Sequence, residues 1–415
     1  MSAAVPHSAR VADTHTIRSH FPALERRHLG HPVAYFDGPG GTQVPRVVVD
    51  AMSEYLFHHN ANTHWAYPTS EETDALLDGA RATLADFLGA APGEVAFGAN
   101  MTTLLFHVAR AIGRTLQPGD EIVVTELDHH ANIAPWQALA RERGAVLKWV
   151  PLDLATSHLD FDAYARALSP RTRVVAVGAA SNALGTISDV RSLVAMARQS
   201  EAITVVDAVH YAPHHLVDVR AIDCDVLACS AYKFYGPHVG VLYARSRVLE
   251  ALDVPRLEPA PATGPERLET GTQNHEGIVG AAAAVDFLAS LAPADVGTRR
   301  ERLAATFDAL HHRGEQLVAQ LWEGVAKMSW VTPVGPQPGT SRTATVSLRV
   351  AGGAERAARL LAGHGLFASH GDFYASTVAA RLGVQDEGLL RVGCMAYTTG
   401  AEIDRLLAAL HALRP

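Results

Sequence analysis

Short apolar runs alternate with helical periodicity through the middle of the chain. The runs that predict β-strands are Glu94–Phe97, Glu121–Val124, Leu147–Val150, Val174–Val177, Ile203–Val206, Val226–Ala228 and Gly240–Tyr243. Helical periodicity separates most of them, at 101–114, 132–143, 161–168 and 190–198. Such alternation is typical of a mostly parallel sheet covered by helices. The pattern therefore predicts a large α/β domain built on a seven-stranded sheet.

The regular alternation of strands and helices does not extend to the N-terminal and C-terminal parts of the chain. Upstream, helical stretches and one short strand are predicted at 13–26, 33–36, 46–59 and 71–88. Residues 252–276 are rich in Pro and Gly and are interpreted as a long functional loop. Downstream, helices are predicted at 277–291, 296–325, 354–364 and 400–413, and strands at Thr343–Val350 and Leu389–Val392. We therefore expect an N-terminal segment (1–30), a large domain (31–295) and a small C-terminal α+β domain (296–415).

Composition narrows the class of protein. At 415 residues, with 48% hydrophobic and 19% charged residues, the chain is typical of a two-domain globular enzyme. A net charge of −8 and the lack of a Lys/Arg-rich run argue against nucleic-acid binding. We expect no signal peptide in residues 1–12 and no membrane-spanning segment, and hence a cytoplasmic protein. Cys224, Cys229 and Cys394 show no paired spacing, which indicates a reducing compartment.

One lysine and one aspartate are the main candidates for chemistry. Lys233 lies on a predicted turn, in the segment Ser230-Ala-Tyr-Lys-Phe-Tyr-Gly-Pro-His238, and Asp207 ends an apolar strand. A lysine can form a Schiff base with the aldehyde of pyridoxal phosphate (PLP), and a carboxylate can partner its pyridine nitrogen so that the ring accepts electrons. This layout predicts a PLP enzyme that acts at the α-carbon of a small-molecule amino-acid substrate.

Histidines suggest a metal site as the alternative. His210 and His214 have the i, i+4 spacing that places two zinc ligands on one face of a helix. Pro213 interrupts that helix, and no third type of ligand is evident. We therefore predict that the protein holds no metal.

Several motifs in order resemble one known family. They extend from Phe36-Asp-Gly-Pro-Gly-Gly-Thr42 to Arg391-Val-Gly-Cys-Met-Ala-Tyr-Thr398. On these motifs the chain resembles the class V aminotransferase group of fold-type I PLP enzymes, and especially its cysteine desulfurase and selenocysteine lyase branch. The resemblance implies a fold-type I PLP-dependent transferase architecture, PLP as the cofactor, and a homodimer with shared active sites.

The resemblance also implies a role for individual residues. It makes Lys233 the Schiff-base lysine, Asp207 the partner of the pyridine nitrogen and His129 the residue stacked on the cofactor ring. Further cofactor contacts are implied for Met101, Thr102, Asn182, His210, Ser230, Tyr232 and Thr272, the last in a neighbouring subunit. Substrate contacts are implied for Arg391, Asn182 and His64, and we also expect His370 to lie near the substrate. His210 and Tyr232 depart from the family, which commonly has glutamine and histidine at these positions.

A further departure concerns cysteine. Desulfurases that form a persulfide carry a nucleophilic cysteine on a loop before the terminal arginine strand, but here residues 367–375 contain none. Cys394 lies three residues after Arg391, so on one strand its side chain points to the opposite face. Cys224 and Cys229 are interpreted as packed small hydrophobic residues. Sulfur transfer through an enzyme persulfide is therefore not expected.

The remaining chemistry is lyase chemistry. We expect elimination on cysteine or a related β-substituted amino acid, with His370, Asp372 and Tyr374 as candidate acids or bases. The alternatives are a PLP-dependent amino-acid epimerase, an aminotransferase, or a PLP-binding protein without turnover.

Overall fold

A seven-stranded sheet lies at the centre of the computed structural model, which describes residues 11–414. In spatial order its strands are Val95–Gly98, Gly240–Ala244, Val226–Ser230, Ile203–Asp207, Thr172–Gly178, Glu121–Thr125 and Val146–Val150. Gly240–Ala244 runs antiparallel to both of its neighbours, and the other neighbouring pairs in this sheet are parallel. The predicted α/β class and the mostly parallel seven-stranded sheet are confirmed.

The inner strands are mostly apolar because helices cover both faces of the sheet, whereas the edge strand Val146–Val150 is partly exposed. Along Thr172–Gly178, Val175 and Val177 face one core, whereas Val174 and Ala176 face the other. Among the helices that contribute to these two cores are Pro68–Leu88, Met101–Gly113, Ala134–Arg143, Phe161–Ala167, Val190–Ala197, Val219–Ile222, Ser246–Ala251 and His275–Ser290. The result is a three-layer arrangement of helices, sheet and helices.

A second, antiparallel sheet occupies the C-terminal part of the chain. Its strands, in spatial order, are Val331–Val334, Thr345–Val350, Leu389–Gly393 and Ser369–Gly371. The helices of this part are Arg299–Val325, Ala354–Gly363, Ser376–Leu382 and Gly400–Ala412. The 27-residue helix Arg299–Val325 joins two cores, because Leu303 and Phe307 pack in the large one and Val318 and Leu321 in the C-terminal one.

The N-terminal part contains helices Thr14–Ser19 and Arg46–Glu54 and three two-residue strands, Arg27–His28, His31–Pro32 and Ala34–Tyr35. Ala34–Tyr35 pairs with Leu366–Phe367, and Phe36 is buried in the C-terminal core. A further hairpin joins Leu152–Asp153 to His158–Leu159. Part of the predicted segment 1–30 lies outside the described residues, and the domain boundaries at 31 and 296 stay predictions.

Local chemistry explains where elements differ from the predicted ones. The helix expected at 13–26 ends at Ser19 and continues as the 3-10 turn Pro22–Glu25, since proline lacks the N–H that an ongoing helix needs. The helix expected at 46–59 ends in a π-helical turn, Tyr55–His59. Residues 252–276 are irregular apart from the 3-10 turn Pro265–Leu268 and the first residues of helix His275–Ser290. None of the helices within residues 11–414 combines the length and apolar character needed to cross a membrane.

Candidate active site

The loops after five parallel strands meet at one edge of the large sheet. This is where ligands bind in open α/β sheets, because the carboxyl ends of parallel strands lie side by side. The residues that follow or end these strands and line a common cavity are Met101, His129, Asn182, Asp207 and Lys233. Strand order, and not sequence proximity, therefore assembles the site.

The cavity at this edge has a volume of about 570 Å³. Of the residues predicted to contact the cofactor, Met101, Thr102, His129, Asn182, Asp207, His210, Ser230, Tyr232 and Lys233 line it. Thr272 is exposed and lies outside this lining, as a residue expected to act in a neighbouring subunit would. The structure thus brings the predicted cofactor residues of one chain together, and their individual roles stay predictions.

A second cavity of about 500 Å³ adjoins the first and shares His129, Asn182 and Lys233 with it. Arg391 and Tyr374 line this outer cavity, as do Phe106 and Phe373. The structure does not place His64 or His370 in the lining of either cavity. Both are exposed, and the His64 imidazole lies 3.3 Å from the carboxylate of Asp74.

Lys233 is held at the junction of the two cavities. It ends the 3-10 turn Ala231–Lys233, and its Nζ donates hydrogen bonds to the carbonyl oxygens of Pro39 and Gly40. Burial and the nearby positive charge of Arg391 lower the pKa of Lys233 to about 7. Near neutral pH a large fraction of this amine is therefore unprotonated and nucleophilic.

Two buried carboxyl groups lie close together here, Asp207 in the lining of the cavity and Asp128 near it. Asp207 accepts a hydrogen bond from the backbone N–H of Val209 (2.8 Å), and burial raises its pKa. Asp128 accepts hydrogen bonds from the Gly178 N–H (2.7 Å) and from the side-chain amide of Asn132 (2.9 Å). Burial and the charge of Asp207 raise the pKa of Asp128 as well. A cation placed against Asp207, such as a protonated pyridine nitrogen, would favour its ionised form.

Two neutral imidazoles border the same cavity. Burial and the charges of Lys233 and Arg391 lower the pKa of His129 to about 4, so its ring is uncharged near neutral pH. An uncharged ring can lie against an aromatic cofactor without desolvating a charge. Burial also lowers the pKa of His210, whose Nε2 lies 3.0 Å from the Thr343 hydroxyl.

The N-terminus of helix Met101–Gly113 provides an anion-binding end. The Asn100 side chain caps the helix by accepting a hydrogen bond from the Thr103 N–H (2.9 Å), and the Met101 N–H donates to the Ser230 hydroxyl (3.1 Å). Helix N-termini attract phosphate groups through backbone N–H groups and the helix dipole. Ser230 and Thr102 lie beside this end in the lining of the cavity.

Arg391 is a buried cation in the outer cavity. Its guanidinium donates hydrogen bonds to the Asn182 carbonyl (3.0 Å) and to the Ser369 hydroxyl (3.2 Å), and lies 4.1 Å from the centre of the Phe373 ring. Burial lowers the pKa of Arg391 to about 9. Within residues 11–414 no carboxylate forms a salt bridge with it. A substrate carboxylate would supply the missing counter-ion.

Phe373 and Tyr374 carry an unusual backbone on the wall of the outer cavity. Both are in the left-handed region, with φ of 58° and 56°. Non-glycine residues held there cost about 1–3 kcal/mol each and occur mostly at functional sites. The Asn182 side chain donates to the Phe373 carbonyl (2.8 Å), and the His130 N–H donates to the Tyr374 carbonyl (2.7 Å). Hydrogen bonds from two neighbouring loops thus hold this conformation.

Sequence reasoning assigned no role to Asp37, Asp128 or Phe373. Burial raises the pKa of Asp37, whose charge acts on both Lys233 and Arg391. Asp37 belongs to one of the quoted motifs, and Asp128 directly precedes His129, so a signal was present for both. Phe373 gave no signal, because only the fold brings its ring under Arg391.

The cavity fits PLP by its own chemistry. Among the described residues, Asn182 Oδ1 and His210 Nδ1 are buried without a protein hydrogen-bond partner, and both residues line its wall. Together with the buried carboxylate of Asp207 and the anion-binding helix end, they offer partners to each polar group of the cofactor. The fold and the site thus define a fold-type I PLP-dependent enzyme.

Comparison with known proteins supports this class of enzyme. The model of the family Aminotransferase class-V matches residues 34–406. A Vibrio cholerae serotype O1 protein named probable cysteine desulfurase is 33% identical over 411 residues, 95% of this chain and 97% of that protein. The apo structure of the cysteine desulfurase from Thermococcus onnurineus NA1 has a TM-score of 0.86 and 28% identity, and the match covers 100% of this chain and 99% of that one.

An Escherichia coli cysteine desulfurase, solved with an S-sulfonic acid, has a TM-score of 0.83 and 26% identity, covering 97% of this chain and 98% of that one. The chain therefore belongs to the class-V aminotransferase family. Within that family it is cysteine desulfurase-like, and PLP is its cofactor.

Proposed function

We propose that the protein is a PLP-dependent lyase that eliminates the β-substituent of cysteine or a related amino acid. The observation that supports this most directly is the content of the two cavities. They bring together a nucleophilic lysine and an arginine without a salt-bridge partner among the described residues, and none of the three cysteines lines either of them.

In this proposal each residue of the site has a distinct role in binding or proton transfer. When bound, PLP supplies an electron sink for the charge that develops at the substrate α-carbon. Arg391 binds the substrate carboxylate and thereby orients the α-carbon toward Lys233. Lys233 takes the α-proton, since its lowered pKa of about 7 leaves a large fraction of the amine neutral near neutral pH. The cofactor is held in position by Asp207, Ser230 and the helix end at Met101.

The cysteines favour elimination over persulfide formation. A persulfide forms by attack of a thiolate, so the nucleophile needs an accessible thiol of ordinary or low pKa. Burial raises the pKa of Cys224 and of Cys394 to about 12, and raises that of Cys229 as well. All three thiols are buried. This environment supports a structural role for each of them.

Product analysis tests the proposed function. With L-cysteine, the wild-type enzyme is expected to release pyruvate, ammonia and sulfide in equal amounts. A variant with Cys224, Cys229 and Cys394 replaced by alanine should keep this product ratio. Alanine together with enzyme-bound sulfur, lost in the cysteine-free variant, would instead establish a desulfurase. A keto acid in place of pyruvate, or an inverted α-carbon, would establish an aminotransferase or an epimerase.

We also propose that two copies of the chain associate into a homodimer. Residues 46–67 expose six large apolar side chains, which we propose form one apolar patch: Val47, Val49, Leu56, Phe57, Trp65 and Tyr67. The most exposed is Phe57, at 78%. Apolar patches of this kind mark association surfaces. A second copy would also bring a Gly271–Asn274 segment to the cofactor site, in keeping with the exposed position of Thr272.

A further inference from the structure

The segment that follows strand Ser369–Gly371 forms part of the wall of the outer cavity, and the proposed function gives it no role. It stands where persulfide-forming desulfurases have their cysteine loop, and here hydrogen bonds fix it. Ser369 pairs with Arg391 in the sheet, so the strand register places the segment at the cavity. Asp372 then accepts a hydrogen bond from the Tyr374 N–H (3.0 Å) and turns the chain.

The Tyr374 side chain lines the outer cavity beside His129. Its ring centre lies 5.7 Å from that of His129, with the planes inclined by 33°, and both line the outer cavity with Lys233 and Arg391. Of the three candidate acids or bases in this segment, His370 does not line the cavity and Asp372 is engaged with the backbone. Tyr374 is thus the O–H donor that this segment presents to a substrate.

Tyr374 is also 74% exposed in the single chain. A phenol in contact with water can recover a proton quickly after giving one up. The left-handed backbone of Phe373 and Tyr374 costs free energy, and the hydrogen bonds from Asn182 and His130 maintain it. Strain that is maintained at a cavity wall indicates that the position of the side chain matters.

We propose that Tyr374 is a catalytic residue that protonates the departing β-substituent of the substrate. This inference rests on the proposed lyase function and deepens it. As the Cβ–S bond breaks, its electron pair stays on sulfur, and the Tyr374 hydroxyl proton transfers to that sulfur. Lys233 has by then taken the α-proton, and water reprotonates the phenolate. The released enamine hydrolyses to pyruvate and ammonia, so no oxidant or reductant is needed.

The leaving group provides a sharp test. S-methyl-L-cysteine expels a basic thiolate that needs a proton, whereas β-chloro-L-alanine expels chloride, which needs none. In Tyr374→Phe, kcat for S-methyl-L-cysteine should fall about 100-fold or more, the range expected for loss of a general acid. For β-chloro-L-alanine, kcat should stay within about threefold of wild type, because no general acid acts on chloride. Tyr35→Phe, which alters a tyrosine outside both cavities, serves as the control.

Each outcome decides the proposal. An equal fall for both substrates would mean that Tyr374 only shapes the site, and no fall for either would remove it from the reaction. Either result would overturn the inference while leaving the lyase intact. A wild-type enzyme that forms pyruvate from neither substrate would refute the proposed function itself, and the inference with it. The absorbance of bound PLP, measured in each variant, shows whether the cofactor site remains assembled.

Discussion

At the scale of single residues, the site works by changing the protonation of ordinary groups. Lys233 and Arg391 are both cationic in isolation, and burial lowers the pKa of each. Burial makes Asp207 harder to ionise until a cation faces it. The cavities are therefore an unfavourable place for these groups alone. The aldehyde and the basic nitrogen of PLP suit Lys233 and Asp207, and a substrate carboxylate suits Arg391.

The lowered pKa of Lys233 predicts how apoenzyme captures PLP. Only the neutral amine attacks an aldehyde, so the capture rate should rise with pH and level off above about 7, not above about 10. Stopped-flow absorbance after mixing apoenzyme with PLP measures the midpoint. Arg391→Met removes a positive charge and should move that midpoint to higher pH.

Lys233→Ala is the control for this measurement and should leave no borohydride-stable bond to the cofactor. Trapping at another lysine would show that the wrong residue has been assigned. A midpoint near that of a free lysine would show that the cavity does not depress the amine pKa.

At the scale of elements, close packing positions the helix end that is expected to bind the phosphate. Gly240 lies where strand Gly240–Ala244 passes the start of helix Met101–Gly113. A Cβ built at Gly240 would meet the Asn100 carbonyl carbon at 2.5 Å, closer than real contacts allow. The absence of a side chain here therefore lets the capped helix approach the sheet.

Gly240→Ala should displace Asn100 and weaken cofactor binding. Overpacking of this kind costs about 1–3 kcal/mol, so we expect PLP affinity to fall about fivefold or more. Titration of apoenzyme with PLP, read by absorbance, measures the effect. Gly93→Ala is the matched control, since its Cβ would have no atom within 4 Å. Equal affinities in the two variants would contradict this account.

At the scale of the whole molecule, an active site completed by a second copy is the main expectation. Phe57→Glu places a charge in the exposed patch of residues 46–67 and should shift the protein toward monomer. Sedimentation velocity measures this. Turnover should fall together with the dimer fraction if the neighbouring Thr272 completes the cofactor site.

Leu360→Glu, on the exposed side of helix Ala354–Gly363, should leave both the mass and the turnover unchanged. A Phe57→Glu protein that keeps the dimer mass would rule out this patch as the interface. A monomer with full activity would instead remove the shared site.

The sequence by itself determined the alternation of strands and helices, because the periodicity of apolar positions is a local property. It also indicated Lys233, Asp207 and Arg391, since each stands in a motif. It did not indicate that Phe373 packs under Arg391 or that Tyr374, and not His370, lines the cavity. Those facts depend on how the C-terminal sheet is placed relative to the large sheet. Only the tertiary structure decides this, because the loops that share a cavity are far apart in the sequence.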